Sequence, residues 1–493
     1  MTRLFPRRGP ARRRNMPLIG SIAATLALLN AGSAVAQDII LPELPFTSKY
    51  GVSARAAGLG YAYGAVAEDG SALWFNPAGL AQIRKMELSG GLLYESQDRT
   101  TGFDTETDGF GGTGFSSTST STSQTPPTQL TFAYPFPTYR GSLVLGVGYQ
   151  RLAPLSADYL REGVVEPVAG GNPGIQEIES YYEKGSADFW TVGLGGDLSP
   201  KISVGGSLSF LTGSTEQEFE IGRLRLLSNG ATDVNGSDEV FLSRETRSAD
   251  ISGWTYSAGV LGRPSEKARI GVTLNGPESY DFDGSSSTRL EDQEKIDRQD
   301  FNFTLGDQHF HLGHLLRGRL HKITLPLSLL FSAAYTPNNL LITGDLRWTD
   351  WAQIDFEGPI RSQDRKYAYR ATADISIGAE YQFSGTPARI RAGFSTQPLP
   401  YKLVPTDVDF TFEPDDGNSS TTDDASSYTR TYGEARFDSG RQFLTVGAGT
   451  LIDDALAIDV AYVHGRFERS ADGGRWTEEW TTDRVYGTAT FRF

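Results

Sequence analysis

Six charged residues fall at alternate positions of three neighbouring strand-like segments: Asp345 and Arg347, Asp374 and Glu380, Arg389 and Arg391. Residues two apart in an extended chain share a face. All six can therefore point into one interior, where adjacent segments carry opposite charges. Cross-strand pairs of that kind contribute a fraction of a kcal/mol each when wet and more when dry. Acid–base catalysis is not the chemistry they suggest, because neither a nucleophile nor a metal set accompanies the carboxylates. The expectation is a charge network that holds a wall and contacts whatever fills the space inside it.

Other reactive residue types give less. His309, His311, His314 and His321 cluster, but their spacing fits neither one helical face nor a standard ligand pair, so no metal is expected. Cysteine is absent, which removes disulfides, thiolate ligands and thiol nucleophiles. No serine stands in a recognisable Ser/His/acid context, and neither an enzyme nor a cofactor is expected. The histidine segment also carries Phe301, Phe303, Leu305, Phe310, Leu312, Leu315 and Leu316, too apolar for a loop in water. It either packs over an opening as a short amphipathic helix or offers a landing site for a hydrophobic ligand, and both can hold.

The elements that must position these residues begin after an export signal. Six arginines precede an apolar run from Met16 to Leu29, and Ala34-Val35-Ala36 supplies a small-residue cleavage site. That run is too short to cross a bilayer as a helix. Removing residues 1–36 takes the formal charge from −15 to −21, and so acidic a chain argues against nucleic acid as a partner. Residues 37–85 read as a compact plug: Ser53 to Leu80 is rich in Ala and Gly, which lets the backbone pack closely against a surround. Within it Asn76-Pro77-Ala78-Gly79 stops any upstream helix.

From Met86 to Phe493 the chain alternates. Fourteen segments are expected at 86–98, 128–136, 142–152, 184–198, 202–221, 248–263, 268–283, 322–336, 339–356, 370–384, 387–399, 440–452, 455–469 and 481–493. Their connections alternate between short turns and long polar loops, as in an outer-membrane barrel. No apolar run of about 20 residues follows the signal, so helical spans are excluded. Leu143, Leu145, Ile375, Ile377, Leu456, Ile458 and Val460 are expected to face lipid, and the charged set the lumen. The fold class is all-β: a 14-stranded antiparallel transmembrane β-barrel, residues 86–493, plugged by its own N-terminus. The Ser/Thr-rich stretch Ser116 to Ser123 and the acidic stretch Asp415 to Asp424 read as solvated low-complexity loops.

Three motifs carry a resemblance: Ala56-Ala57-Gly58, Ala67-Glu68-Asp69-Gly70-Ser71-Ala72 and Phe75-Asn76-Pro77-Ala78-Gly79. They resemble the N-terminal hatch of the FadL/TodX family of outer-membrane transporters of long-chain fatty acids and other hydrophobic compounds. Asp345-Leu346-Arg347-Trp348-Thr349-Asp350-Trp351 is similar to that family's ninth-strand tryptophan motif. The resemblance implies a Gram-negative outer-membrane location, an outer loop that captures the ligand, lateral exit through the wall, and barrel-assembly machinery reading the C-terminal strand that ends at Phe493. On this reading Phe301, Phe303, Phe310, Leu312, Leu315 and Leu316 capture the ligand, and Asn76, Pro77, Ala78 and Gly79 form a hatch gate. The partners are then membrane lipid and a hydrophobic small molecule, with the barrel acting as a monomer. A general porin and a structural or secretion-associated shuttle barrel of the same superfamily are the alternatives, and the apolar loop 301–316 favours transport over the shuttle.

Overall fold

A strand facing hydrocarbon must pair every backbone group with a neighbour, and only a closed ring leaves no edge. The computed structural model, which describes residues 52–103, 114–115, 118–155, 157–166, 174–226, 240–292, 322–357, 369–400, 403–405, 434–436, 440–471 and 476–493, meets that demand. Its wall strands are β1 (Glu87–Phe103), β2 (Thr118–Gln124 and Pro127–Phe136), β3 (Leu143–Pro154 and Ala157–Glu166) and β4 (Gly174–Ser199). Next come β5 (Ile202–Leu226), β6 (Val240–Ser265), β7 (Ala268–Asn275 and Glu278–Asp292), β8 (Lys322–Leu325 and Ser328–Tyr335) and β9 (Leu340–Asp350 and Asp355–Glu357). The last are β10 (Ala371–Gln382), β11 (Arg389–Gln397), β12 (Arg441–Ile452), β13 (Leu456–Ala471) and β14 (Trp476–Arg492). Each pairs antiparallel with the next, and β14 returns to β1 in one unbroken register from Glu87↔Arg492 to Phe103↔Trp476. Fourteen strands close the ring, as the loop pattern requires.

The short turns are tight for stated reasons. Asp453 and Asp454 both have positive φ, the arrangement whose twist matches two flanking strands. Gly141, Asn338 and Gly385 take the left-handed region in three others, which Gly and Asn enter at least cost.

Side chains alternate as expected. Leu143, Ile375, Ile377, Ile458 and Val460 are exposed on the outer face, and Leu145 and Leu456 are half-exposed there. Aromatic residues flank this band: Trp190, Trp254 and Trp348 toward the long-loop side, and Phe136, Tyr381, Phe383, Phe491 and Phe493 by the short turns.

Strand ends depart from the sequence expectation. Ser/Thr-rich residues 118–124, expected to be a loop, pair with β1 from Thr101↔Thr118 to Glu95↔Gln124. Residues expected in the loops after β3, β5 and β7 likewise extend the strands, so that β4 and β6 reach 26 residues while β11 has 9. Above the lipid band both faces are wet, so the apolar alternation that marks a strand fades while the ladder continues. The acidic stretch 415–424, the expected signal over 1–36 and residues 37–51 lie outside the described residues.

Ile377→Lys on the outer face should destabilise folding into a phospholipid bilayer by about 2–3 kcal/mol, against less than ~1 for Ile377→Val. Reversible urea unfolding in vesicles measures both; a lysine variant as stable as its parent would reverse the face assignment.

Candidate functional site

The lumen is filled from one end by residues 52–83. Ser53 caps a short helix, α1 (Ala54–Gly58), by accepting from the Ala56 N–H at 3.3 Å. A second, α2 (Ala72–Phe75), leads into Asn76. Pro77 does more than end a helix. It opens a 3-10 turn, Pro77–Gln82, capped by Asn76 Oδ1, which accepts from Ala78 N at 3.1 Å, because a proline at the first helical position has no N–H to leave unpaired.

This hatch touches the wall on every side. Ser71 donates to Gln129 on β2, Trp74 Nε1 to Thr191 on β4, and Asn76 Nδ2 to the Val260 carbonyl on β6. Ser207 on β5 donates to the Leu73 carbonyl, and Thr343 on β9 to that of Ala62. The Tyr63 and Gly64 amides both donate to Asp345 Oδ2 at 2.9 Å, Gly60 N donates to Thr445, and Ala54 N to Thr488. Close approach is possible because the wall lacks side chains where the hatch backbone passes. A Cβ on Gly205 would lie 2.3 Å from the Pro77 backbone, and one on Gly378 2.4 Å from the Leu59 carbonyl oxygen.

Charge adds to these contacts on the β10–β13 side. Glu380 accepts from Arg55 at 2.9 and 3.0 Å and from Arg391 Nε at 2.6 Å, and Arg389 stands 3.9 Å away. Arg391 continues to Asp459 at 2.7 Å, and Arg55 to Glu68 at 2.7 Å, where Arg269 adds a contact at 3.4 Å. The six charged residues of the sequence reading all face inward. Glu380 opposes Arg391 and Arg347 opposes Asp374 across strands, while Asp345 opposes Ser376 and binds the hatch instead. Sequence reasoning missed Arg55, Glu68 and Asp459, whose partners are up to 325 residues distant.

Within the hatch, burial pulls Glu68 toward its neutral form, but Arg55 and Arg269 outweigh it and hold the carboxyl below its usual value. Burial pushes Asp69 the other way, above its usual value, against hydrogen bonds from Tyr63 and Ser71.

Beyond the hatch, β3 to β9 turn apolar side chains inward. Leu155, Phe189, Leu211, Ile251, Tyr280, Phe282, Ile323, Leu325 and Ile354 form one buried cluster, with Leu152, Trp351 and Tyr369 packed on it. The signal for it was adjacent apolar residues, as at Phe189-Trp190 and Phe210-Leu211, where both faces of a strand are greasy. Beside this cluster the wall is interrupted. The β7–β8 ladder breaks at Gly276-Pro277 against Pro326-Leu327, between Asn275↔Ser328 and Glu278↔Leu325. The β8–β9 ladder breaks at the same height, where Trp351–Gln353 forms a 3-10 turn between Ser328↔Thr349 and Thr324↔Asp355. Two prolines without donors stand in the gap. The outer loop residues Phe301, Phe303, Phe310, Leu312, Leu315 and Leu316, and the four histidines beside them, lie outside the described residues.

The closed, hatch-filled barrel with an apolar cluster in its lumen has counterparts among known proteins. The sequence model of a family described as outer membrane protein transport protein (OMPP1/FadL/TodX) matches residues 191–406. Over that stretch the chain resembles the FadL/TodX family. Among solved structures the barrel is similar to the Pseudomonas putida toluene transporter TodX, with 14% identity and TM-score 0.55 over 90% of this chain and 99% of that one. It is also similar to a Pseudomonas aeruginosa FadL homologue, with 14% identity and TM-score 0.54 over 90% and 100%. At such identity the likeness concerns the fold. Among curated proteins no match is found.

Two outcomes test the hatch contacts. Gly205→Leu must displace the Pro77 turn and should raise the ion conductance of single barrels in planar bilayers, while Arg55→Ala leaves Glu380 with one fewer partner and should cost about 3 kcal/mol. Because the folded-state pKa of Glu68 is lowered, its contribution is complete above the ordinary value of 4.5 and is lost as pH falls through the lower folded value. Conductance should therefore rise only on strong acidification, and Glu68→Gln should remove that acid step.

Proposed function

We propose that this FadL/TodX-like barrel sits in the outer membrane and admits long-chain fatty acids or similar hydrophobic small molecules by diffusion. The observation that carries the reading is the buried apolar cluster on the far side of a hatch bonded all round. A hydrophobic solute gains roughly 25 cal/mol per Å2 of apolar surface removed from water, and an enclosed apolar site holds it where a water-filled porin lumen would not.

The route has three stages. Phe301, Phe303, Phe310, Leu312, Leu315 and Leu316 collect the solute at the surface, and the apolar cluster receives it. Onward passage is lateral, through the break between β7 and β9, because its backbone ladder is already open while the hatch contacts are not. The Asn76–Gly79 segment is then the fixed point of the hatch, against which the solute is turned toward the wall. No nucleotide motif is required, since a concentration gradient drives the flow.

The break can be closed at will, because the chain has no cysteine of its own. Pro277→Cys with Pro326→Cys places two thiols across the β7–β8 gap. Oxidation should cut uptake of labelled dodecanoate by cells at least fivefold, and reductant should restore it. Unchanged uptake through a cross-linked barrel would exclude this exit. Phe310→Asp with Leu312→Asp should lower both surface binding and uptake, whereas Gly79→Leu, whose Cβ meets the Ala67 carbonyl oxygen at 2.3 Å, should lower uptake and leave binding intact.

A further inference from the structure

The short turns do not carry charge evenly. Arg140 stands in the turn between β2 and β3, Lys201 in that between β4 and β5, and Lys267 in that between β6 and β7, all exposed. The turns after β8 and β10, Thr336-Pro337-Asn338-Asn339 and Phe383-Ser384-Gly385-Thr386-Pro387-Ala388, hold no charge, and the turn after β12 holds Asp453 and Asp454. A chain of formal charge −15 thus places a cation in each of three consecutive turns along one half of its rim, with Glu266 the one acid among them. Among the described residues none of these three cations forms an ion pair. The carboxylate beside the first turn, Asp197, is already engaged. It accepts from Ser203 Oγ at 2.6 Å and pairs with Arg263 at 3.4 Å and Arg84 at 3.8 Å. Arg84, where the hatch leaves for β1, is the loosest of these partners, its side chain 64% exposed.

Neighbouring side chains set the level at which these charges stand. Phe136 and Leu143 bracket the Arg140 turn, Leu198 and Ile202 bracket Lys201, and Ile270 follows Lys267, all exposed on the lipid-facing side. Each cation therefore begins where the apolar band ends. A long side chain so placed lays its methylenes on apolar surface and carries its charge to the headgroup layer. Tyr139, fully exposed at the tip of the first turn, suits the same layer. Consecutive turns lie two strands apart, about 10 Å at the usual strand spacing. Single charges strung along an arc at that interval match separate headgroups lying side by side, each with its own phosphate, better than one compact ligand.

We propose that this half of the rim binds anionic phospholipids of the leaflet on the short-turn side. Arg140, Lys201 and Lys267 each hold the phosphate of one headgroup, and Arg84 joins them. Basic side chains at a bilayer surface attract anionic lipid additively and over a short range. The neutral and acidic turns of the other half offer no such attraction, so the barrel sorts the lipid around itself. Arg84 has two anions within its choice, Asp197 and a lipid phosphate, which brings lipid charge to bear where the hatch joins the wall. This rests on the membrane placement of the barrel and not on what the barrel carries.

The test uses the full chain in nanodiscs of phosphatidylcholine and phosphatidylglycerol, with spin-labelled forms of both lipids competing for the wall. Phosphatidylglycerol should be held about threefold more strongly, and about 1 M salt should abolish the difference. Arg140→Gln with Lys201→Gln and Lys267→Gln should abolish it too, and each single substitution should remove part. Arg140→Lys with Lys201→Arg and Lys267→Arg should keep it. Equal retention of the two lipids by the parent, or a preference that survives the triple glutamine variant, would overturn the proposal. So would capture of a soluble polyglutamate peptide in place of phosphatidylglycerol, which would give the rim to an acidic protein. Uptake of labelled dodecanoate by cells keeps the transport reading separate. Lipid preference without uptake ends transport and leaves the rim site, whereas uptake without lipid preference does the reverse.

Discussion

Backbone hydrogen bonding in a medium without water is the constraint on which the rest of this structure depends. Each wall strand must give every N–H and C=O to a neighbour, so the ring must close, the strand count must be even for the short turns to share one end, and the faces must alternate. The lumen then inherits whatever side chains point inward. The ladder lapses at Pro277, Pro326 and the turn at Trp351, beside greasy side chains, and again between Gln124 and Pro127 of β2.

The hatch and the wall solve one packing problem in two ways. On the β4–β7 side the wall gives up side chains so that the Asn76–Pro77 backbone can lie against it. On the β10–β13 side it does so too, at Gly378, Gly393 and Gly447, but also keeps long charged side chains, and Arg55 reaches Glu380 between Arg389 and Arg391. Backbone contact is stiff and insensitive to pH. Ion pairing is specific and responds to it. The plug is therefore held by backbone contact on both flanks, and on one of them by charges that chemistry can address.

Much of this was legible beforehand because the physics is local. Period-two alternation, turn residues such as Asp453-Asp454, and the Ala/Gly content of the hatch each report on a few neighbouring residues. The inward direction of Glu380 and Arg391 followed from parity alone. What parity could not reveal was partnership: Arg55 with Glu380, or Asp345 with the hatch amides in place of a cross-strand arginine. The outer ends of β2, β5 and β7 escaped for a different reason. A strand wet on both faces needs no apolar residues, so Thr118 to Gln124 looks like a linker and behaves as a ladder. The apolar cluster was hidden by the opposite effect, since greasy residues on both faces erase the alternation that would have located it.

The bond from the Ala54 amide to Thr488 joins residues 434 apart in sequence. It cannot form until the final strand has been made, yet the hatch it anchors precedes all fourteen strands in the chain. The plug must therefore wait, unsecured on this flank, while the other thirteen strands assemble around it. Closure of β14 onto β1 seals the wall and secures that flank in a single event. Contacts so distant in sequence slow folding, and here one of them ties the plug to the strand that closes the wall.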